Sequence, residues 1–363
     1  MVIEKKQLEK FRKKLLAWNQ RANDRAMPWK GEKDPYRIWL SEIMLQQTRV
    51  EQGMGYYRRF LTAYPDVKQL ARAPEKDVMK LWEGLGYYSR CRNLIHTARY
   101  IAGECGGVFP SSYDAIRGLK GVGPYTAAAI ASFAFNLPHA VVDGNVIRLL
   151  SRVFGIDAPA DTAEGKKIFT DLAEAALDPV APGTYNQAIM DFGATICKPL
   201  APSCPQCPLH NSCYAFTSGR VADLPAKKKK TAVRKRWFYY LVMEYRGKIA
   251  IRERGEKDIW RGLYEFPMVE MPAEKTTHKV LQAAVKAGLL EKGNFILTHV
   301  TLPRQQQLSH QLIRAVFLRI QLNQSKPADK QMKLVPKRKL AEFPFPRVIH
   351  AYLQQDSMEQ SLF

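Results

Sequence analysis

Acidic residues are scarce in this 363-residue chain: 34 Asp and Glu stand against 56 Lys and Arg, a net charge of +22. The deficit points to a polyanionic partner, because each phosphate neutralised by a cationic side chain releases condensed counterions. Charge alone does not separate nucleic acid from an anionic membrane surface. Long apolar runs are missing too. The longest, residues 127–135, is interrupted by Ser132, which excludes a bilayer-spanning helix of this kind. Residues 1–18 interleave Lys and Glu with Phe11, Leu15 and Leu16 at helical spacing; without an apolar h-region, no secretory signal is expected. Cysteine is sparse and uneven, with six in all and four of them inside 17 residues. Disulfide-dense secreted domains spread their cysteines throughout, so this pattern favours a metal or cluster site in a reducing cytoplasm. What is present is ordinary globular composition, 46% hydrophobic and 25% charged, in a length suited to two or three domains.

The clustered cysteines are Cys197, Cys204, Cys207 and Cys213, separated by six, two and five residues. Short proline-rich loops can wrap four thiolates round one centre with no helix or strand intervening. Four-thiolate zinc sites usually use two Cys-x-x-Cys knuckles, and only one is present here. A single tight run of four is also the style of iron–sulfur ligation. His210 is an alternative ligand, but with four thiolates at hand it reads as a bystander. Cys91 and Cys105 read as small buried hydrophobes.

From Lys5 to about Pro225 the pattern is helical nearly throughout, with apolar residues at intervals of three and four in Ile38-Trp39-Ile43-Met44 and Ala129-Ile130-Phe133. Glycines and prolines punctuate it at Gly106-Gly107, Gly121 to Pro124 and Pro182-Gly183. A different grammar follows. Residues 237–243, 248–252 and 312–320 are β-rich with partial alternation, and stretches near 277–287 and 347–354 are helical, which predicts an α+β region. Between the two regions, residues 226–236 carry seven basic side chains and no acidic one. They read equally as a solvated linker and as a source of non-specific polyanion affinity.

Three features of the helical region carry chemistry. Residues 116–130 read as two helices joined by Gly121-Val122-Gly123, with Pro124 in the first turn of the second helix, where its missing N–H costs nothing. The freed amides at that helix start favour an anion. A plain helix corner has the same glycines; the whole pattern fits a helix-hairpin-helix that grips a nucleic-acid phosphate. Asp143 precedes a helical run, where the macrodipole favours its ionised form; an ordinary N-cap has the same position. Glu42 stands on a mostly apolar helix. Burial there raises its pKa and suits it to general-acid work, whereas an amphipathic helix turns it to solvent.

Together the hairpin, the Val142-Asp143-Gly144-Asn145-Val146 segment and the cysteine spacing resemble the endonuclease III superfamily of DNA glycosylases, and within it the A/G-specific adenine glycosylases. Further strings of that kind are Met27-Pro28-Trp29-Lys30, Leu45-Gln46-Gln47-Thr48, Trp82 to Tyr88, Arg92-Asn93-Leu94 and Asn186 to Asp191, so most of residues 20–215 is covered. The resemblance implies a four-iron, four-sulfur cluster on the four cysteines. It implies that Glu42 protonates an extrahelical adenine at its seventh ring position, and that Asp143 stabilises the oxocarbenium-like sugar or bonds to it transiently. Asn145 and Tyr125 are then expected to position Asp143 and water, and Arg25, Trp29 and Gln187 to wall the adenine pocket. Gln47 and Tyr87 match residues that wedge into the duplex. The superfamily's bifunctional lyases carry a Schiff-base lysine two residues after the hairpin's second glycine. Tyr125 stands there, and Lys120 is a poor substitute, so base excision without strand cleavage is expected.

The second region resembles the Nudix-like domain of the same glycosylases, without the metal-binding Nudix catalytic box. It reads as a recognition module in which Ser309 and His310 hydrogen-bond 8-oxoguanine. Leu308 replaces the family's Phe, and an apparent insertion at 301–305 precedes the loop. The expected division is 1–216 for the helical glycosylase domain with the cluster loop at 197–213, 217–236 for a basic linker, 237–356 for the Nudix-like domain and 357–363 for a tail. The expected fold is multidomain, all-helical followed by α+β. The expected partner is double-stranded DNA with adenine opposite 8-oxoguanine or guanine, bound by a cytoplasmic monomer and no membrane. An endonuclease III-like pyrimidine glycosylase-lyase and a catalytically silent DNA-binding scaffold are the competing readings; Tyr125 opposes the first, Glu42 and Asp143 the second.

Overall fold

A computed structural model describes residues 3–226, 233–255, 259–308, 310–324 and 332–360. Two compact units divide the chain: Met1–Ala73 with Asn93–Lys229, and Pro74–Arg92 with Lys230–Phe363. The division departs from the contiguous boundaries expected, because the 74–92 segment belongs with the residues after 230. No helix among the described residues is long and apolar enough to cross a membrane.

In the first unit every regular element among the described residues is helical. Leu8, Phe11, Leu15 and Trp18, spaced three and four apart, form the buried stripe of helix Lys5–Ala22. They pack into one core with Val146, Leu149 and Leu150 of helix Gly144–Phe154, Phe169, and Tyr185 and Phe192 of helix Pro182–Thr195. Helix Pro124–Phe135 is buried from Thr126 to Ser132, and its small alanines let neighbours approach closely. Tyr125 and Asp143 stand at the starts of helices Pro124–Phe135 and Gly144–Phe154, and Glu42 stands within helix Pro35–Leu45.

The second unit is a mixed sheet: β1 (Arg234–Tyr245), β2 (Lys248–Glu253), β3 (Tyr264–Glu265), β4 (Met268–Met271), β5 (Phe295–Val300), β6 (Arg304–Gln307), β7 (Gln311–Leu322) and β8 (Lys333–Pro336). The backbone order is β3-β2-β1-β7-β5, with β4 on β1, β6 on β7 and β8 on β2. β1 and β7 run parallel in the centre. Strand β1 is buried on both faces, which is why its sequence alternates only partly. Phe238, Tyr240 and Val242 face a core shared with Val348, Ile349 and Tyr352 of helix Arg347–Gln360. Trp237, Tyr239, Leu241 and Met243 face Val280 and Ala284 of helix Thr277–Lys286. The expected linker is corrected at its end, since Arg234, Lys235 and Arg236 open β1; residues 227–232 lie outside the described residues. The expected insertion at 301–305 is a short loop that runs into β6.

Candidate active site and cysteine loop

A cavity of about 390 Å³ opens in the first unit, lined among others by Arg25, Trp29, Lys30, Glu42, Tyr125, Asp143, Asn145, Gln187 and Met190. That volume lies in the range of small-molecule sites. The expected acid, stabiliser and pocket walls, distant in sequence, therefore meet in one place.

Glu42 sits mid-helix in Pro35–Leu45 and is buried. Burial pushes its carboxyl up to about 7, the Tyr125 hydroxyl pulls it down by a hydrogen bond, and the charge of Asp143 pushes it up again. The Tyr125 hydroxyl hydrogen-bonds Glu42, feels the charge of Asp143 and lies 3.4 Å from the Met190 Sδ. Burial and the two carboxylates hold the Tyr125 phenol well above its usual range.

Asp143 is the N-cap of helix Gly144–Phe154 and also lines the cavity. Its Oδ1 accepts from the Asn145 and Val146 amides at 2.8 and 2.7 Å, and Oδ2 accepts from Asn145 Nδ2 at 2.6 Å. Burial nonetheless raises its pKa, against the expected lowering; those three hydrogen bonds and the Arg148 charge oppose the rise. Arg148 in turn donates to Asn145 Oδ1 at 2.9 Å, to the Gly193 carbonyl at 2.6 Å and to the Cys197 carbonyl at 2.8 Å. Gly193 is required there: a Cβ would come within 2.7 Å of Asn145 Cβ. Asn186 pins the approach to Asp143, donating to the His139 carbonyl at 2.8 Å and accepting from the Val141 amide at 3.2 Å.

Sequence reasoning missed the residue that organises the pocket wall. Asp191 is fully buried and bonds Arg25 Nη1 at 2.8 Å, Lys30 Nζ at 3.1 Å, Asn23 Nδ2 at 2.9 Å and Gln187 Nε2 at 2.9 Å. One carboxylate thereby orients two cations and two side-chain amides. The i, i+4 spacing of Gln187 and Asp191 was the only local signal. Trp29 is buried edge-on against Tyr57, with ring centroids 5.3 Å apart.

In the hairpin, Gly121 has φ +82°, and a Cβ would meet the Asn93 side chain at 2.7 Å. Gly123 differs. It caps helix Pro124–Phe135 with no side-chain hydrogen bond, and a Cβ there would meet open space. The amides of that helix start have no side-chain partner from the cap residue. Gln47 is exposed with a left-handed backbone at φ +57°. Tyr87, in the second unit, is 44% exposed at φ +47°. Also in the second unit, His310 is exposed, and its carbonyl accepts from the Arg234 amide at 3.0 Å. Leu308 packs against the sheet core. Ser309 lies outside the described residues.

Cys197, Cys204, Cys207 and Cys213 line one small cavity with Arg152 and His210. A 3₁₀ turn, His210–Ser212, separates the last two cysteines, where no helix was expected. Among the described residues no three His, Cys, Asp or Glu groups converge tightly enough for a single metal ion. Burial raises the pKa of Cys204 and Cys213 and pushes Cys207 up to about 11, so a cationic centre is needed to hold them as thiolates. Arg152 is buried against the loop, donating to the Lys198, Pro199 and Leu224 carbonyls at 2.8, 3.2 and 3.0 Å, with Nη1 3.5 Å from Cys197 Sγ. His210 Nδ1 is 2.6 Å from the Cys207 carbonyl. Cys91 is fully buried, but Cys105 is partly exposed, which corrects its reading as a core hydrophobe.

The description "HhH-GPD superfamily base excision DNA repair protein" matches residues 40–174, and a NUDIX domain matches residues 238–355. The adenine DNA glycosylase of Buchnera aphidicola subsp. Baizongia pistaciae is 35% identical over 303 residues, 80% of this chain and 84% of its own. The adenine DNA glycosylase of Homo sapiens is 42% identical over 215 residues, 56% of this chain and 39% of its own. A thermostable thymine-DNA glycosylase structure superposes with TM-score 0.55 at 29% identity, covering 59% of this chain and 98% of that one. An endonuclease III–DNA complex shares the helical fold, with TM-score 0.50 at 19% identity over 60% of this chain and 99% of that one. The resemblance read from the motifs is thereby established: the chain belongs to the adenine DNA glycosylases, enzymes of base excision repair in the HhH-GPD superfamily.

Proposed function

We propose that the enzyme hydrolyses the N-glycosidic bond of adenine opposite 8-oxoguanine or guanine, without lyase chemistry, through Glu42 and Asp143. The observation that carries this reading is two carboxylates in one cavity, one of them with its pKa raised to about 7. At neutral pH Glu42 is about half protonated and donates its proton to the seventh ring nitrogen of adenine. The bond from sugar to base then breaks, its electron pair leaving with the base. Asp143 faces the cationic sugar; that growing positive charge and the donors on its oxygens favour the carboxylate. Water adds to the sugar carbon and loses a proton, leaving an abasic site. Two carboxyl groups with opposed protonation states are the general solution to glycoside cleavage. Arg25, Lys30 and Gln187, fixed by Asp191, present polar groups to the base.

Cys197, Cys204, Cys207 and Cys213 would hold a four-iron, four-sulfur cluster. When bound, that group would partly offset the charge of the four thiolates and cross-link the loop. Gly121 and Gly123 receive a backbone phosphate, and Gln47 and Tyr87 hold the duplex open around the extruded adenine. In the sheet unit, Ser309 and His310 read the oxidised guanine by hydrogen bonds to its extra donor and acceptor.

The test is single-turnover reaction with duplexes holding adenine opposite 8-oxoguanine, analysed with and without alkali. Strand breaks that require alkali are expected. Breaks without alkali would restore the lyase reading, and no release of adenine would remove the substrate assignment.

A further inference from the structure

We propose that Glu83 is a positioning residue for Tyr87, tying the loop that presents this ring to residues 343–350; the proposal rests on the wedge role given to Tyr87 above. The Glu83 side chain is only 9% exposed and lies 2.5 Å from Lys80 Nζ. Its Oε1 accepts from the Phe345 amide at 2.9 Å and lies 3.5 Å from His350 Nδ1. Lys80 also donates to the Phe343 carbonyl at 3.1 Å, and the Tyr88 hydroxyl, which accepts from the Gly84 amide at 3.2 Å, donates to the Phe345 carbonyl at 3.4 Å. Both polar groups of the Phe345 backbone are thus engaged by the loop.

The loop itself is wound against its preferences. Gly84, Gly86 and Tyr87 have φ of +90°, +79° and +47°. For a tyrosine this costs on the order of 1–2 kcal/mol, so surrounding contacts must over-determine it. They do. Trp82 Nε1 donates to the Gly86 carbonyl at 3.0 Å, Arg90 Nη2 lies 3.3 Å from the same oxygen, and the Arg90 guanidinium sits 5.4 Å from the Trp82 ring and 5.2 Å from the Tyr87 ring. The backbone is fixed while the Tyr87 ring stays 44% exposed. Prying a base pair open costs a few kcal/mol, and a wedge on an unfixed loop would spend binding energy on ordering that loop first. Glu83 removes this cost by anchoring the loop before DNA arrives.

The test compares single-turnover adenine release from two duplexes, one with a stacked adenine opposite guanine and one with the adenine in an unpaired bulge, with 2-aminopurine beside the target reporting unstacking. Glu83→Ala should slow release from the stacked duplex about tenfold, with a smaller fluorescence rise, and leave the bulged duplex within about twofold. The double variant with Tyr87→Ala should be no slower than Tyr87→Ala alone. Equal slowing on both duplexes, or additive slowing in the double variant, would overturn the proposal. If Tyr87→Ala slows opening and Glu83→Ala does not, Glu83 falls and the wedge stands; if Tyr87→Ala changes neither readout, the wedge reading falls and the proposal with it. Should Glu83→Ala fail to fold, Glu83→Gln, which keeps an acceptor for the Phe345 amide and loses the charge, is expected to show the same selective slowing to a smaller degree.

Discussion

The helical unit and the sheet unit each bury a glutamate and surround it differently. Glu42 has a phenol and a second carboxylate for neighbours, and its affinity for a proton rises until it exchanges near neutrality. Glu265, 2% exposed, lies between Arg252 Nε at 3.1 Å and the Arg254 guanidinium. Two matched cations make that carboxylate a strut between β2 and β3. Burial alone does not mark a reactive group; burial with uncompensated charge does. Asp191 stands between the two cases, fully buried and paired, but paired to cations that face the cavity.

The largest effect that would break this contrast lies at the cavity. Asp143→Asn should lower adenine release at least about 10³-fold in single-turnover assays while duplex affinity is retained; full activity would remove Asp143 from the chemistry. Glu42→Gln should cost about 10²- to 10³-fold. In the parent enzyme the rate should fall as pH rises through about 7, where the donor loses its proton, and the Gln variant should lack that limb. Stability carries the same sign. The folded state holds this proton more tightly than the unfolded state, whose carboxyl has a pKa of 4.5, so Glu42 costs stability progressively between about pH 4.5 and pH 7. Glu42→Gln should therefore be more stable than the parent at pH 8 in denaturant titration, by on the order of 3 kcal/mol, and match it at pH 4.5.

Glu265→Ala sharpens the comparison from the other side. It takes the buried anion from beside two guanidinium groups and should cost about 3–5 kcal/mol in denaturant titration, with glycosidic cleavage in the folded fraction unchanged. A loss of cleavage without a loss of stability would reverse the roles given to the two glutamates. The smallest effect is expected at the recognition loop, where Ser309→Ala with His310→Ala should reduce the preference for 8-oxoguanine over guanine about tenfold. An unchanged ratio would reject that loop as the reader.

What the sequence revealed was local. The cysteine spacing, the Gly-x-Gly turn before Pro124 and Asp143 at a helix start are each written within a few residues. The burial of Glu42 was one of two open readings, because an amphipathic helix of that composition can turn either face inward. Contacts made across long separations were invisible. The grip of Asp191 on Arg25 and Lys30, the reach of Arg148 to the Cys197 carbonyl and the membership of 74–92 in the second unit depend on how distant elements dock. The left-handed turns at Gln47 and Tyr87 were equally hidden, since nothing in either residue type favours that conformation.

The distant partners of the 74–92 segment set a timetable for making the protein. The carbonyl that receives Lys80 is 263 residues further along the chain. At elongation rates of about 5–20 residues per second, Trp82 and its neighbours wait on the order of ten to fifty seconds on the ribosome before their partners are synthesised. The first unit can collapse in that interval, while the 74–92 segment still lacks its partners beyond residue 230. Chaperone demand should therefore peak late in translation, and a nascent chain stopped before residue 343 should expose a protease-sensitive stretch that the finished enzyme conceals.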